Sequence, residues 1–245
     1  MNVTIATFNL KSDRLAFGNN HWKHRRERLA AVLHALDADI TAMQELTPRM
    51  KRDLAADFPA RFLGEGRAGL FDEHTDIAVT SRVKVCRHRT FPLPTGALSV
   101  VFPRICTAAE LAVGAQRIRV FNTHLDVFSE RVRGMQLRFL CRAIARMQRI
   151  APLPTIVTGD FNTPPDSPLI RALTRDGIEG IRLTDTASGI DAGTLHFFRG
   201  TGTRRIDYIF ADDSFRVLGA DIKSIPVGGS FVSDHHPVRA ILSLT

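Results

Sequence analysis

The sequence predicts an α/β protein in which two sets of strands stack and helices cover their outer sides. Three observations lead there. A strand, helix, strand rhythm opens the chain, a β-rich middle runs from Val83 to Val120, and segments of helical periodicity stand at both ends of that middle.

The elements follow in order. Val3, Ile5 and Phe8 in VTIATF mark a first strand that ends at Asn9. Leu29, Val32, Leu33 and Leu36 recur at helical spacing behind the basic run KHRRERL, and DITAMQE then reads as a buried strand. Thr47 to Phe58 offers a short helix, and DIAVTS, from Asp76, another strand. In the middle, VKVCRHRTF, ICTAAELAV and RIRVFNTHL are three strands. Ile105, Thr107, Ala109, Leu111 and Val113 share one face of the second, and GAQ at 114–116 is a tight turn into the third. Val132, Met135, Phe139, Leu140, Ile144 and Met147 form an apolar stripe on the longest helix, which stops before the prolines of APLP at 151–154. TIVTGDFN is a buried strand running into a polar turn, PPDSPL opens a further helix, and RIDYIFAD and PVRAILSL are two more strands.

With 245 residues, 44% hydrophobic and 24% charged, and no Pro/Gly/Ser-rich linker, residues 1–245 are expected to form one domain. No apolar run is long enough for a membrane span. MNVTIATFNL lacks a basic n-region and a long apolar core, so a secretory signal is not expected. Cys86, Cys106 and Cys141 have no CxxC or Cys/His metal spacing and are expected to be buried, reduced thiols in a cytoplasmic protein. No oligomerisation signal stands out, which makes a monomer the default.

The formal net charge of +8 favours a polyanionic partner or a phosphate-bearing substrate, because Lys and Arg lower the free energy of an approaching anion. The densest basic run, KHRRERL, is read first as a solvated helix start and second as a phosphate-steering patch.

Residues with chemical potential collect at strand ends: Asn9, Glu45, His124, Asp126, Asp160, Asn162, Asp207, Asp234 and His235. Strand ends on one side of a sheet converge in space although far apart in sequence. Singly, each Asp or Asn reads as a turn residue bonded to local backbone. Together they make a set of hard oxygen donors with two histidines and no thiolate, the kind of set that suits Mg²⁺ or Mn²⁺. Such a metal activates water and neutralises phosphate charge, and a carboxylate-supported histidine manages protons. The chemistry indicated is metal-assisted attack of water on phosphorus.

The blocks TFNL, QE, NTHLD, GDFN, RIDYIF and SDHHPV, in this order and spacing from Thr7 to Val238, resemble the endonuclease/exonuclease/phosphatase superfamily of metal-dependent hydrolases, in its small bacterial form. The resemblance implies a four-layer α/β sandwich, two stacked mixed β-sheets with helices on the outer faces and the site at one edge between them. It also implies roles. Glu45 resembles the principal metal ligand with Asn9 beside it, and Asp234 a second metal-side carboxylate. Asp160 and Asn162 resemble the pair that handles the attacking water and the scissile phosphate, and His124 the residue on a phosphate oxygen or leaving group. Asp207 would orient His235, while His236 resembles a packing or rim position. Arg104, Asp126 and His196 are candidates for substrate contact, Asp126 being equally a capping residue. Trp22 and Arg25 match a W-x-x-R pattern, with packing and an ion pair as their ordinary roles.

One departure limits what carries over. Small bacterial members have a W-L-S-E-T-P-like segment where this chain has FPLPTGALSV at 91–100, so its substrate loops are expected to differ. The charge favours a phosphodiesterase or nuclease, since phosphate contacts dominate nucleic-acid affinity. Against it stands an expected scarcity of exposed stacking aromatics. A phosphatase of a small phosphorylated metabolite or lipid headgroup is the alternative. A non-catalytic phosphate-binding module ranks below both, because none of Glu45, Asp160, Asn162 and His235 is lost.

Overall fold

β1 (Asn2–Asn9) leads through α1 (Arg26–Ala35) to β2 (Ile40–Gln44), which pairs with β1 in parallel. The pattern recurs later: β7 (Gln116–His124) leads through α3 (Glu130–Ile150) to a parallel neighbour, β8 (Thr155–Asp160). A parallel pair needs a crossover long enough to return the chain to the same end, and a helix supplies it. Each unit therefore delivers two strand C-termini to one edge. The computed structural model describes residues 2–67, 72–96 and 101–245; positions 97–100 of the FPLPTGALSV segment lie outside the described residues.

Two mixed six-stranded sheets grow around these units. In the first, β11 (Phe215–Ile222), β12 (Val238–Leu244), β1, β2, β4 (Ile77–Val79) and β3 (Arg61–Leu63) lie side by side. In the second the order is β5 (Val83–Pro92), β6 (Ile105–Val113), β7, β8, β10 (Asp207–Ala211) and β9 (Thr184–Asp185). The expected hairpin joins β6 to β7 through Gly114 and Ala115, with Gly114 at φ 58 in the left-handed region that such two-residue turns require.

Side chains alternate across each strand, and the alternation sorts them into three apolar layers. Ile5, Ile40, Val120, Ile156 and Ile209 fill the space between the sheets. Ala6 and Phe8 point the other way, to Leu29 and Leu33 of α1 and Leu54 of α2 (Pro48–Ala55). Phe121, Val157 and Phe210 meet Leu137, Leu140 and Ile144 of α3 and Ile170 of the short α4 (Pro168–Arg171). The result is the four-layer α/β sandwich. Capping sets the helix starts: the Thr47 hydroxyl accepts from the Met50 N–H with Pro48 in the first turn, and Ser129 accepts from Val132.

Several expectations need correction. The buried face of α3 is Gln136, Leu137, Leu140, Cys141 and Ile144, whereas Met135 and Phe139 are 44% and 42% exposed. The apolar stripe is wider than the contact the helix makes, and most of edge strand β5 is exposed or half-buried. Cys86 is exposed on the edge strand β5, while Cys106 and Cys141 are buried and free as expected. Exposed aromatics are not scarce: Phe17, Phe128, Phe139 and Phe197 all reach solvent. Strands β3, β9 and β11 carry no clear alternation of their own and are formed by pairing with neighbours. No helix among the described residues is long and apolar enough to cross a membrane.

Candidate active site

Strand register builds the first half of the site. His124 on β7 stands opposite Asp160 on β8, and Asp160 stands opposite Asp207 on β10, so the three occupy one rung across adjacent strands. Their neighbours Phe121, Tyr208 and Phe210 face the helices, so alternation turns this rung inward, toward the first sheet. Gly159 permits the approach: at φ 143, a Cβ there would lie 1.9 Å from the Thr123 carbonyl oxygen.

The first sheet supplies the other half. Asn9 Nδ2 donates to Glu45 Oε1 at 3.1 Å and to Asp160 Oδ2 at 3.0 Å, bridging the sheets. Glu45 Oε2 accepts from the Ser12 N–H at 2.8 Å. Glu45 and Asn162 have φ of 60 and 50, in the left-handed region that non-glycine residues enter at a cost of about 1–3 kcal/mol. Asn162 donates its backbone N–H to Asp160 Oδ1 and its side-chain amide to the Leu125 carbonyl.

The SDHH segment closes the site. Ser233 donates to the Asn9 carbonyl at 2.6 Å and accepts from the His235 N–H, tying this loop to the end of β1. His235 Nδ1 lies 2.8 Å from Asp207 Oδ2, while its Nε2 lies 3.9 Å from both Asp160 and Asp234. His124 Nε2 approaches Asp160 Oδ2 at 3.6 Å. Four groups from four strands or loops therefore surround one buried carboxylate, Asp160.

The Endonuclease/Exonuclease/phosphatase family model matches residues 6–235, nearly the whole chain. The chain belongs to this family. The structure agrees with solved members: a Bacteroides thetaiotaomicron protein of the endonuclease/exonuclease/phosphatase family superposes with TM-score 0.87 at 24% identity, covering 99% of this chain and 95% of that one. A mannosyl-6-phosphatase from the same species gives 0.85 at 25% identity, over 99% and 100%. Danio rerio TDP2 complexed with single-strand DNA product gives 0.77 at 18%, over 99% of each chain. No curated protein sequence matches this chain.

Members of this endonuclease/exonuclease/phosphatase family hydrolyse phosphoesters and generally use divalent metals, and the chain's buried acidic and histidine cluster is consistent with that habit. Asp160, Asp207 and His235 each offer an atom within 4.8 Å of the others. Burial opposes charge on His235, but Asp207, with Asp160 and Asp234 behind it, more than offsets this and pushes its pKa up to about 10. Burial pushes Asp207 upward against the pull of His235.

Glu45 is the other carboxylate bonded to Asn9. Burial opposes its charge, but Lys11 and His124 hold its carboxyl below the usual range. The N–H donors of Asn9 stand between the Glu45 and Asp160 carboxylates, while its Oδ1, the amide atom able to ligate a hard cation, accepts from the Lys11 N–H. Asp234 belongs to the same side and is covered by Lys11, whose Nζ lies 3.1 Å from Oδ2.

The remaining candidates sit further back. Arg104 is buried and paired with Glu73, whose other oxygen lies 3.3 Å from His124 Nδ1, so among the described residues Arg104 connects to the site through Glu73 and His124. Asp126 Oδ1 accepts the N–H groups of Phe128 and Ser129, the capping role. His196 accepts from the Gly200 N–H, stacks on His236 with ring centres 3.9 Å apart, and has its pKa lowered to about 4 by burial and by His236. His236 is buried, with Nε2 2.9 Å from the Gly200 carbonyl. Trp22 is fully buried and donates to Asp53. Arg25 makes no ion pair among the described residues: it donates to the carbonyls of Leu10, Lys11, Asn20 and Val232, and burial lowers its pKa to about 10.

Sequence reasoning passed over Glu73, Lys11, Ser233 and Thr194, the last accepting from the Ile206 and Asp207 N–H groups. Lys11 follows the block TFNL directly and Ser233 opens SDHHPV, so both were within reach. Glu73 lies in a stretch without periodicity, and nothing local points to it.

Proposed function

We propose that this protein hydrolyses a phosphodiester by attack of an activated water, in a nuclease-like reaction dependent on Mg²⁺, with Mn²⁺ able to replace it. The observation that carries the reading is Asp160 held 3.0 to 3.9 Å from Asn9, His124 and His235 at once. Glu45 and Asn9, with Asp234 behind them, would hold the metal, which lowers the pKa of water and offsets phosphate charge. Asp160, oriented by the Asn162 N–H, accepts the proton of the attacking water. His235, kept charged by Asp207, stabilises the phosphoryl oxygens and gives a proton to the leaving group. His124, braced by Glu73, holds a phosphoryl oxygen, and Asn162 contacts the scissile phosphate. Phe128 and Phe197 follow site-bearing loops and offer stacking surface, which with the +8 charge supports nucleic acid as substrate. Free cysteines fit a cytoplasmic setting.

A second reading, a phosphatase of a small sugar phosphate, is supported by the likeness to a mannosyl-6-phosphatase over the full length of both chains. The test is hydrolysis of plasmid, oligonucleotides and a sugar-phosphate panel with Mg²⁺ or Mn²⁺ at two salt concentrations. Nucleic-acid cleavage suppressed by salt supports the first reading; turnover confined to sugar phosphates supports the second. No turnover of any phosphoester, with metal bound, overturns both.

A further inference from the structure

The outer face of the second sheet carries a cavity that the catalytic reading leaves unused. It has a volume of about 770 Å³ and opens between edge strand β5 and helix α3. Two small residues line it, Ala108 on β6 and Ala143 on α3, and leave room that larger side chains would fill. Phe91, Phe139 and Met147 make the rest of an apolar floor and wall, with the Phe91 and Phe139 ring centres 6.3 Å apart.

The rim is cationic beyond what nearby carboxylates neutralise. Glu110 at the lower end already serves three guanidinium groups, Arg87 at 2.5 Å, Arg117 at 2.8 Å and Arg119 at 2.9 Å. Arg142 is matched by Glu179 at 3.0 Å. Arg89 and Arg146 have no ion pair among the described residues, and Arg89 lies over the Phe91 ring at 5.4 Å. An apolar slot bordered by unneutralised guanidinium groups matches a ligand with an apolar body and an anionic head. The volume falls within the range typical of small-molecule sites. A nucleic-acid strand carries charge along its whole length and would leave this floor unfilled.

We propose that the slot between β5 and α3 binds a single-chain amphipathic anion from solution, its chain over Ala108 and Ala143 and its phosphate-like head on Arg89 and Arg146. The site is separate from the candidate active site, since Ala108 shares the helix-facing side of the sheet with Phe121 whereas His124, Asp160 and Asp207 face inward.

Calorimetric titration of the whole protein with decylphosphonate, whose P–C bond resists hydrolysis, tests this below the micellar concentration. Methylphosphonate carries the same head without the chain. The expected result is one site at least about tenfold tighter for decylphosphonate, since the added methylenes supply the difference. Ala143→Trp fills the slot and should weaken decylphosphonate about tenfold or more while phosphoester hydrolysis stays unchanged. Arg89→Gln with Arg146→Gln, both at the surface, should weaken it severalfold and keeps the test decisive if Ala143→Trp does not fold. Equal affinity for the two phosphonates, or decylphosphonate binding indifferent to these substitutions, overturns the proposal. So does an oligonucleotide that displaces decylphosphonate and is itself weakened by Ala143→Trp.

Discussion

His235 and Asp207, 28 residues apart in sequence, meet at 2.8 Å between Nδ1 and Oδ2, inside a site where Asp207 is fully buried. The contact fixes which ring nitrogen is left for chemistry, because Nδ1 is engaged and Nε2 faces Asp160 and Asp234. His236, next in sequence, points elsewhere and packs on His196.

That divergence separates the two histidines by experiment. His235→Ala is expected to remove nearly all phosphoester turnover, by about 100-fold or more, with a modest change in Tm. His236→Ala is expected to retain most turnover yet lower stability by about 1–3 kcal/mol, because it empties a buried stack. Steady-state kinetics and thermal melts check both, and the reverse pattern would reassign the site.

The ion pair also sets a pH dependence. An unfolded histidine loses its proton near 6.5, whereas His235 in the metal-free fold keeps it until about 10. The folded state binds the extra proton, so the contribution is fully present below 6.5 and is lost as pH rises through 10. Asp207→Asn should bring the His235 pKa down and narrow that window toward 6.5. NMR titration of the imidazole and melts from pH 6 to 10 measure it; an unmoved pKa would refute the role of Asp207.

Glu45→Gln replaces one oxygen of Glu45, one of the two carboxylates on the proposed metal side, with an amide nitrogen and removes its charge. Mn²⁺ affinity, followed by calorimetry or electron paramagnetic resonance, is expected to fall by about 100-fold, with activity lost in parallel and chelator abolishing it in the parent. Affinity unchanged in Glu45→Gln would move the metal away from Glu45.

Glu73 is expected to behave as a brace. Glu73→Ala leaves Arg104 as an uncompensated buried cation and should cost about 3–5 kcal/mol of stability. The milder Glu73→Gln should lower kcat more than it raises KM, because His124 loses its anionic support while the substrate surface is kept. Denaturant melts and kinetics on the pair distinguish bracing from packing.

Arg25→Lys tests how the loop after β1 is held. One guanidinium binds four carbonyls drawn from Leu10, Lys11, Asn20 and Val232, and an ammonium cannot span them. A loss of about 2–4 kcal/mol and a drop in kcat are expected together. Chemical denaturation and turnover rates measure the two.

How much of this was legible beforehand differs by element. Strands with period-2 alternation or a short apolar run, such as VTIATF, ICTAAELAV and TIVTGDFN, declare themselves, because the pattern reflects the burial of a face or of the whole strand. Helix α3 is legible as a helix but not in its contact face: Met135 and Phe139 continue the stripe yet stay exposed, Phe139 over a slot the helix does not close. β3 and β11 are absent from the pattern, since an edge strand is held by its neighbour's hydrogen bonds more than by its own burial.

The sequence by itself determined the α/β order, the family blocks and the residue types of the site, because these rest on local periodicity and on short fixed motifs. The tertiary structure alone decided the rest. That His124, Asp160 and Asp207 share one rung is a matter of register, which no single strand contains. That Glu73 braces His124, that Lys11 covers Asp234 and that Arg25 serves carbonyls depend on side chains meeting across sheets and loops far apart in the chain. Such contacts leave no periodic trace, because the energy that selects them is paid out between elements and not within them.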